Sequence, residues 1–128
     1  MAPPPPVAGA LGPEPQYEVI PLRGIAREVA AQLPPGARVT VTASPAQGLP
    51  ATIETACELA EQGFRAIPHL AARMLHGRSE VEELLERLAE AGVAEVFVIA
   101  GDASLPAGDF PGALELLEAL SSAGSAMT

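Results

Sequence analysis

The chain has 128 residues, of which 48% are apolar and 18% charged, enough for one domain with a real core but well short of the ~250 residues of a complete (β/α)₈ barrel. Its net charge is −9 and arginine is its only strong cation, which excludes the clustered basic surface that nucleic acids and anionic membranes reward. A single cysteine, Cys57, excludes an internal disulfide framework and a cysteine-based zinc cluster, and suits a reducing cytoplasm.

Residues 1–16 carry Pro3 to Pro6 and further Gly, Ala and Pro. That composition favours extended polyproline geometry and buries almost nothing, so the lead is expected to be disordered. It has neither the basic start nor the apolar stretch of a secretion signal, and no apolar run in the chain is long enough to span a bilayer. From Tyr17 onward, short apolar runs alternate with helix-period segments, the pattern of βα units around a parallel sheet. The first strand is expected over Tyr17–Ile20, stopped by Pro21, and a short helix over Gly24–Leu33, closed by Pro34, Pro35 and Gly36. Arg38–Thr42 is rich in β-branched residues and predicts a second strand, followed by a loop with Ser44, Pro45, Gly48 and Pro50.

The second helix is expected over Ile53–Gln62, with Thr52 as N-cap, Gly63 as C-cap, and Ile53, Ala56, Cys57 and Ala60 as its apolar stripe. Phe64–His69 reads as a third, buried strand and Ala71–Arg78 as its connecting loop or helical turn. Glu80–Ala91 is the clearest helix: Ser79 and Glu82 form a capping box, Val81, Leu84, Leu85 and Leu88 recur at helical spacing, and Gly92 closes it. Glu95–Ala100 reads as a strand suited to burial on both faces, ending at Gly101-Asp102. A fourth helix is expected over Pro111–Leu120 with Asp109 as N-cap, and residues 123–128 as a flexible tail. The count is four βα units over residues 17–122, half of a TIM-type barrel, with no fifth strand.

In parallel α/β architectures ligands bind at the carboxyl ends of the strands. The polar residues there are Glu18 in the first strand, Thr42 ending the second, His69 ending the third and Asp102 ending the fourth. Each has an ordinary structural role open to it: Glu18 facing solvent, Thr42 as a normal strand residue, His69 bonded to a neighbouring loop, Asp102 capping its own. Their joint placement at one end of four strands carries the information. GxGxxG, P-loop, HExxH and GxSxG motifs are all absent. His76-Gly77-Arg78 reads as a solvated loop, and Glu80, Glu82, Glu83 and Glu86 as the wet face of a helix.

In order and spacing, Tyr17-Glu18-Val19-Ile20-Pro21, Val39-Thr40-Val41-Thr42, Thr52-Ile53-Glu54-Thr55, Pro68-His69-Leu70 and Ile99-Ala100-Gly101-Asp102 resemble the opening half of the methylenetetrahydrofolate reductase family. The resemblance implies a (β/α)₈ barrel with FAD at the carboxyl ends of its strands, NAD(P)H as co-substrate, and reduction of 5,10-methylenetetrahydrofolate to the 5-methyl form. It also implies roles for individual residues: Glu18 as the catalytic general acid that opens the folate's five-membered ring, Asp102 near flavin and pterin, Thr42 and His69 against the flavin. The sequence departs from the family pattern at Ala100, where the family has arginine, at Ala71-Ala72, where it has Thr-Cys, and at Leu22, where it has a second proline.

The resemblance covers only half of the family's barrel, so the expected partners are a small folate substrate and a homodimeric or other second chain that completes the barrel, with no nucleic acid, membrane or metal. Two alternatives stand beside this reading: a non-catalytic half-barrel remnant or interaction module, and a reductase of another one-carbon carrier. A half-barrel enzyme acting on a phosphorylated metabolite is a further class, but the Gly48 and Gly108 loops are too unspecific to establish a phosphate site.

Overall fold

The computed structural model describes residues 16–101 and 105–122. Four strands and four helices alternate along them: β1 (Gln16–Val19), α1 (Ile25–Gln32), β2 (Arg38–Val41), α2 (Leu49–Glu61), β3 (Arg65–Ala71), a 3₁₀ turn (Ala72–Met74), α3 (Arg78–Ala91), β4 (Phe97–Ile99) and α4 (Ala113–Ser122). The strands form one parallel sheet in the order β1-β2-β3-β4. This is the expected succession of βα units, consistent with half of a TIM-type barrel.

Side chains alternate across a strand, so each strand sends one set toward the helices and the other to the opposite face. Val39 and Val41 of β2 and Leu70 of β3 are fully buried, Ala66 nearly so, and Val19 and Val98 pack against the same cluster. The helices meet them with Val29 from α1, Leu59 and Cys57 from α2, Leu85 and Leu88 from α3, and Leu116 from α4. Burying one such leucine contributes about 1.5–3 kcal/mol, so this single layer holds the fold together. Cys57 lies on the stripe expected of it, completely buried.

Several boundaries differ from the sequence reading, each for a physical reason. Helix α2 starts at Leu49, four residues before Ile53, with Pro50 in its first turn and Gly48 as N-cap. Thr52 is therefore no cap: it lies inside the helix, fully buried, and its Oγ1 donates to the carbonyl of Thr42 at 3.0 Å. The same helix ends with Gln62 at the C-cap, one residue before Gly63. Helix α3 starts at Arg78 with Gly77 as N-cap and no side-chain cap, so the expected Ser79–Glu82 box does not form. Glu80 folds back instead, its Oε1 accepting the backbone N–H of His76 at 2.8 Å. Gly92 does close α3, in the left-handed conformation at φ 90°, with its N–H directed to Ala89 and Leu88.

Strand β3 runs two residues beyond His69. Pro68 does not end it, because β3 pairs with β2 through Arg65–Pro68 and with β4 through His69–Ala71. The residue lacking an N–H sits where pairing passes from one neighbour to the other, the position in an inner strand where proline is tolerated. Strand β1 begins at Gln16, the last residue assigned to the lead, and β4 is confined to Phe97–Ile99. Asp109 does not cap α4, which starts at Ala113; its backbone N–H bonds the carbonyl of His76 at 3.0 Å. The expected lead, apart from Gln16, and the tail lie outside the described residues.

Leu88 is fully buried at the centre of this layer. Leu88→Ala is expected to lower unfolding stability by about 2–5 kcal/mol, read from urea denaturation, whereas Leu105→Ala, at a position 81% exposed, is expected to change it by under about 0.5 kcal/mol.

Candidate functional site

Strand register fixes which residues share the face that, among the described residues, no helix covers. Glu18 pairs with Thr40, Thr40 with Ile67, and His69 with Phe97. Continuing the register by one residue aligns Ile20, Thr42, His69 and Phe97 as a rung across the four strands. Glu18, Thr40, Ile67 and Glu95 form the next rung toward the amino ends, and Gln16, Arg38 and Arg65 the one after. Two contacts confirm the arrangement: Gln16 Nε2 donates to Thr40 Oγ1 at 2.6 Å, and the His69 and Phe97 rings lie 5.1 Å apart, tilted by 52°.

Three of the four site residues expected from sequence thus share one face. Glu18 is exposed, Thr42 and His69 half-buried. None ends its strand: Glu18 is the last but one residue of β1, Thr42 follows β2 by one, and His69 lies two residues inside the end of β3. Thr42 is held by its backbone, its N–H donating to the Val19 carbonyl at 3.0 Å and its own carbonyl accepting Thr52 Oγ1. Asp102 lies outside the described residues. The preceding glycine, Gly101, has φ 97°, and a Cβ there would come within 3.1 Å of the Ala71 side chain, so both backbone conformation and close approach favour glycine.

The face is polar at the amino ends of the strands and apolar at the carboxyl ends. Glu95 receives Arg65 at 2.9 Å and Arg38 at 3.6 Å, while Arg38 Nε is buried without a hydrogen-bond partner. Being partly exposed, these pairs contribute little each. Toward the carboxyl ends, Ile20 and Phe97 are 53% and 55% exposed, a large apolar exposure flanking Thr42 and His69. Burial pushes the His69 imidazole below its ordinary value, and the nearby Glu18 carboxylate pulls it partway back. β1 and β3 are separated by two strand spacings, roughly 10 Å, so this is a field effect rather than a hydrogen bond.

A second concavity escaped sequence reading. An open cleft of about 760 Å³ lies outside the sheet, between the first turns of α2 and α3, with Pro45, Leu49, Ile53, Met74, Leu84 and Leu105 among its walls. Its floor depends on a clasp between two loops: Arg73 N–H donates to Ala100, Ala107 N–H to Arg73, and Asp109 N–H to His76, at 2.8–3.0 Å. Gly108 presses so closely on the His76 carbonyl that a Cβ would overlap it. Residues far apart in sequence form this cleft, and no local motif announces it. His76 is exposed as expected, but Glu80 is engaged with it, the carboxylate 3.2 Å from Nδ1, and is not simply a wet helix face.

Among the described residues no group of three or more His, Cys, Asp and Glu could hold a metal ion, and no helix is long and apolar enough to cross a membrane. No protein-family model matches the chain.

A histidine whose folded pKa lies below its unfolded value of 6.5 binds fewer protons when folded. Its contribution to stability is therefore present above that value and declines as pH falls toward the folded pKa. An NMR titration is expected to show His69 with a midpoint below that of free histidine, and Glu18→Gln is expected to move it lower still, because the only charge raising it is removed.

Proposed function

We propose that the chain carries the amino-terminal half of a methylenetetrahydrofolate reductase-like active site, acting in the cytoplasm on 5,10-methylenetetrahydrofolate with FAD and NAD(P)H. One observation carries the reading: Glu18, Thr42 and His69, which the sequence resemblance ties to the flavin and the folate, come from three separate βα units yet share the uncovered face near the carboxyl ends of the strands. Ligands of this architecture bind at that end.

The residues present fit a flavin. A flat heteroaromatic ring needs apolar surface on its plane and hydrogen-bonding groups at its edge; Ile20 and Phe97 offer the first, Thr42 and His69 the second. When bound, FAD supplies hydride transfer, taken from NAD(P)H and delivered to the one-carbon unit of the folate. The chain's own contribution is positional and acid–base. His69, which burial shifts toward its neutral form, has in that form one N–H to donate and one nitrogen to accept. Glu18 is the group placed to pass a proton to a ring nitrogen of the folate as the five-membered ring opens. A carboxyl in that role works shielded from bulk water, whereas Glu18 is exposed in the isolated half. Catalysis therefore requires a second half-barrel over this face.

A non-catalytic half-barrel or interaction module is the second reading, and Ala71 and Ala100 favour it. Ala71 is fully buried beneath Gly101, leaving no room for the family's threonine, and Ala100 provides no guanidinium. Titration of the purified chain with FAD, followed by flavin fluorescence quenching, separates the two. Saturable quenching is expected, weakened about 10-fold or more by His69→Ala or Asp102→Ala, as losing a hydrogen-bonded contact in a partly closed site would do. Glu18→Gln is expected to leave flavin binding intact while abolishing folate reduction. A folded chain that does not quench flavin fluorescence sinks the reductase reading in favour of the second.

A further inference from the structure

Among the described residues the sheet has two unpaired edges, β1 and β4, and the exposed apolar residues gather there. Of the six large apolar side chains exposed among the described residues, Ile20 and Leu22 flank the β1 edge, while Phe97, Leu114 and Leu117 flank the β4 edge; only Leu105 lies elsewhere. Helix α4 is thus apolar on two sides: Leu116 and Ala119 are buried against the sheet, and Leu114 and Leu117, at 65% and 50% exposure, face away. A helix with a second apolar face is built to be covered twice. On the opposite flank, α1 presents the small exposed residues Ala30 and Ala31.

We propose that two copies of this chain close on each other, β4 of each pairing in parallel with β1 of the other, to form a twofold eight-stranded barrel. A partner able to close both edges at once must present one edge like β1 and one like β4, and a second copy presents both. The operation brings Phe97 and Leu117 of one copy toward Ile20, Leu22 and α1 of the other, and the same contact recurs at the second joint. Eight strands also make a barrel whose interior side chains fill it. Electrostatics points the same way. The chain carries a net charge of −9, but the uncovered face bears Glu18 and Glu95 against Arg38 and Arg65, a balance of zero. Most of the acidic surplus lies on α2 and α3, away from the surfaces that meet, and α4 brings only Glu115 and Glu118 beside them.

This inference stands on the sheet and its edges and does not depend on the reductase reading, so the two can fail separately. Sedimentation velocity on the full 128-residue chain in the micromolar range is expected to give twice 13.0 kDa. Phe97→Glu and Leu117→Glu each place a charge in the joint and are expected to weaken the dimer by about 10-fold or more. Leu105→Glu, at 81% exposure away from both edges, is expected to leave it unchanged, with circular dichroism confirming that all three fold. A mass of 13.0 kDa throughout, masses growing beyond twice that value as in an open filament, or a dimer indifferent to both edge variants would overturn the proposal. A dimer that binds no flavin would leave this assembly standing and remove only the reductase reading.

Discussion

Everything in this structure depends on a sheet whose helix-facing side is packed with apolar side chains and whose other side carries the polar ones. Val39, Val41 and Leu70 are sealed beneath α2 and α3, while the alternate residues of the same strands carry Thr, Arg, Glu and His to the other face. That asymmetry fixes register, because a slip of one residue would turn every valine outward and every charge into the core. It also separates stability from chemistry: substitutions that unfold the chain and substitutions that alter the candidate site lie on opposite sides of a sheet one residue thick.

The sequence revealed this arrangement where local physics decides it. β-Branched runs marked β2 and β4, helical spacing of Val81, Leu84, Leu85 and Leu88 marked α3, and Gly92 marked its end. It misled where a side chain had two possible uses. Thr52 has the right chemistry for a cap, yet the helix starts earlier, at Leu49, and the Thr52 hydroxyl is spent on the Thr42 carbonyl. Ser79 lost its role because Gly77, lying close to Asp109, begins α3 in extended backbone. The third strand was expected to end at His69, because a one-dimensional pattern cannot show that pairing changes partner after Pro68 and carries the strand on to Ala71.

The candidate site was readable to a similar extent. A polar residue near the carboxyl end of a strand is visible in sequence, and Glu18, Thr42 and His69 were found that way. Which face they occupy was not visible, since that follows from register across three strands. Phe97 was read as part of a strand buried on both faces, but its ring lies open beside His69, because the side of β4 away from the helices has no cover. The cleft between α2 and α3 was invisible for a different reason: it is assembled by loops whose contacts span long stretches of chain.

The clasp between the loops after β3 and β4 couples their lengths. Three backbone hydrogen bonds and the bare contact of Gly108 on His76 join two segments that, in barrels of this kind, usually vary independently to create new specificities. Here neither can lengthen without dislodging the other. A change of length in either of these two loops must therefore be accommodated by the other, whereas the β1–α1 and β2–α2 loops are free of the clasp.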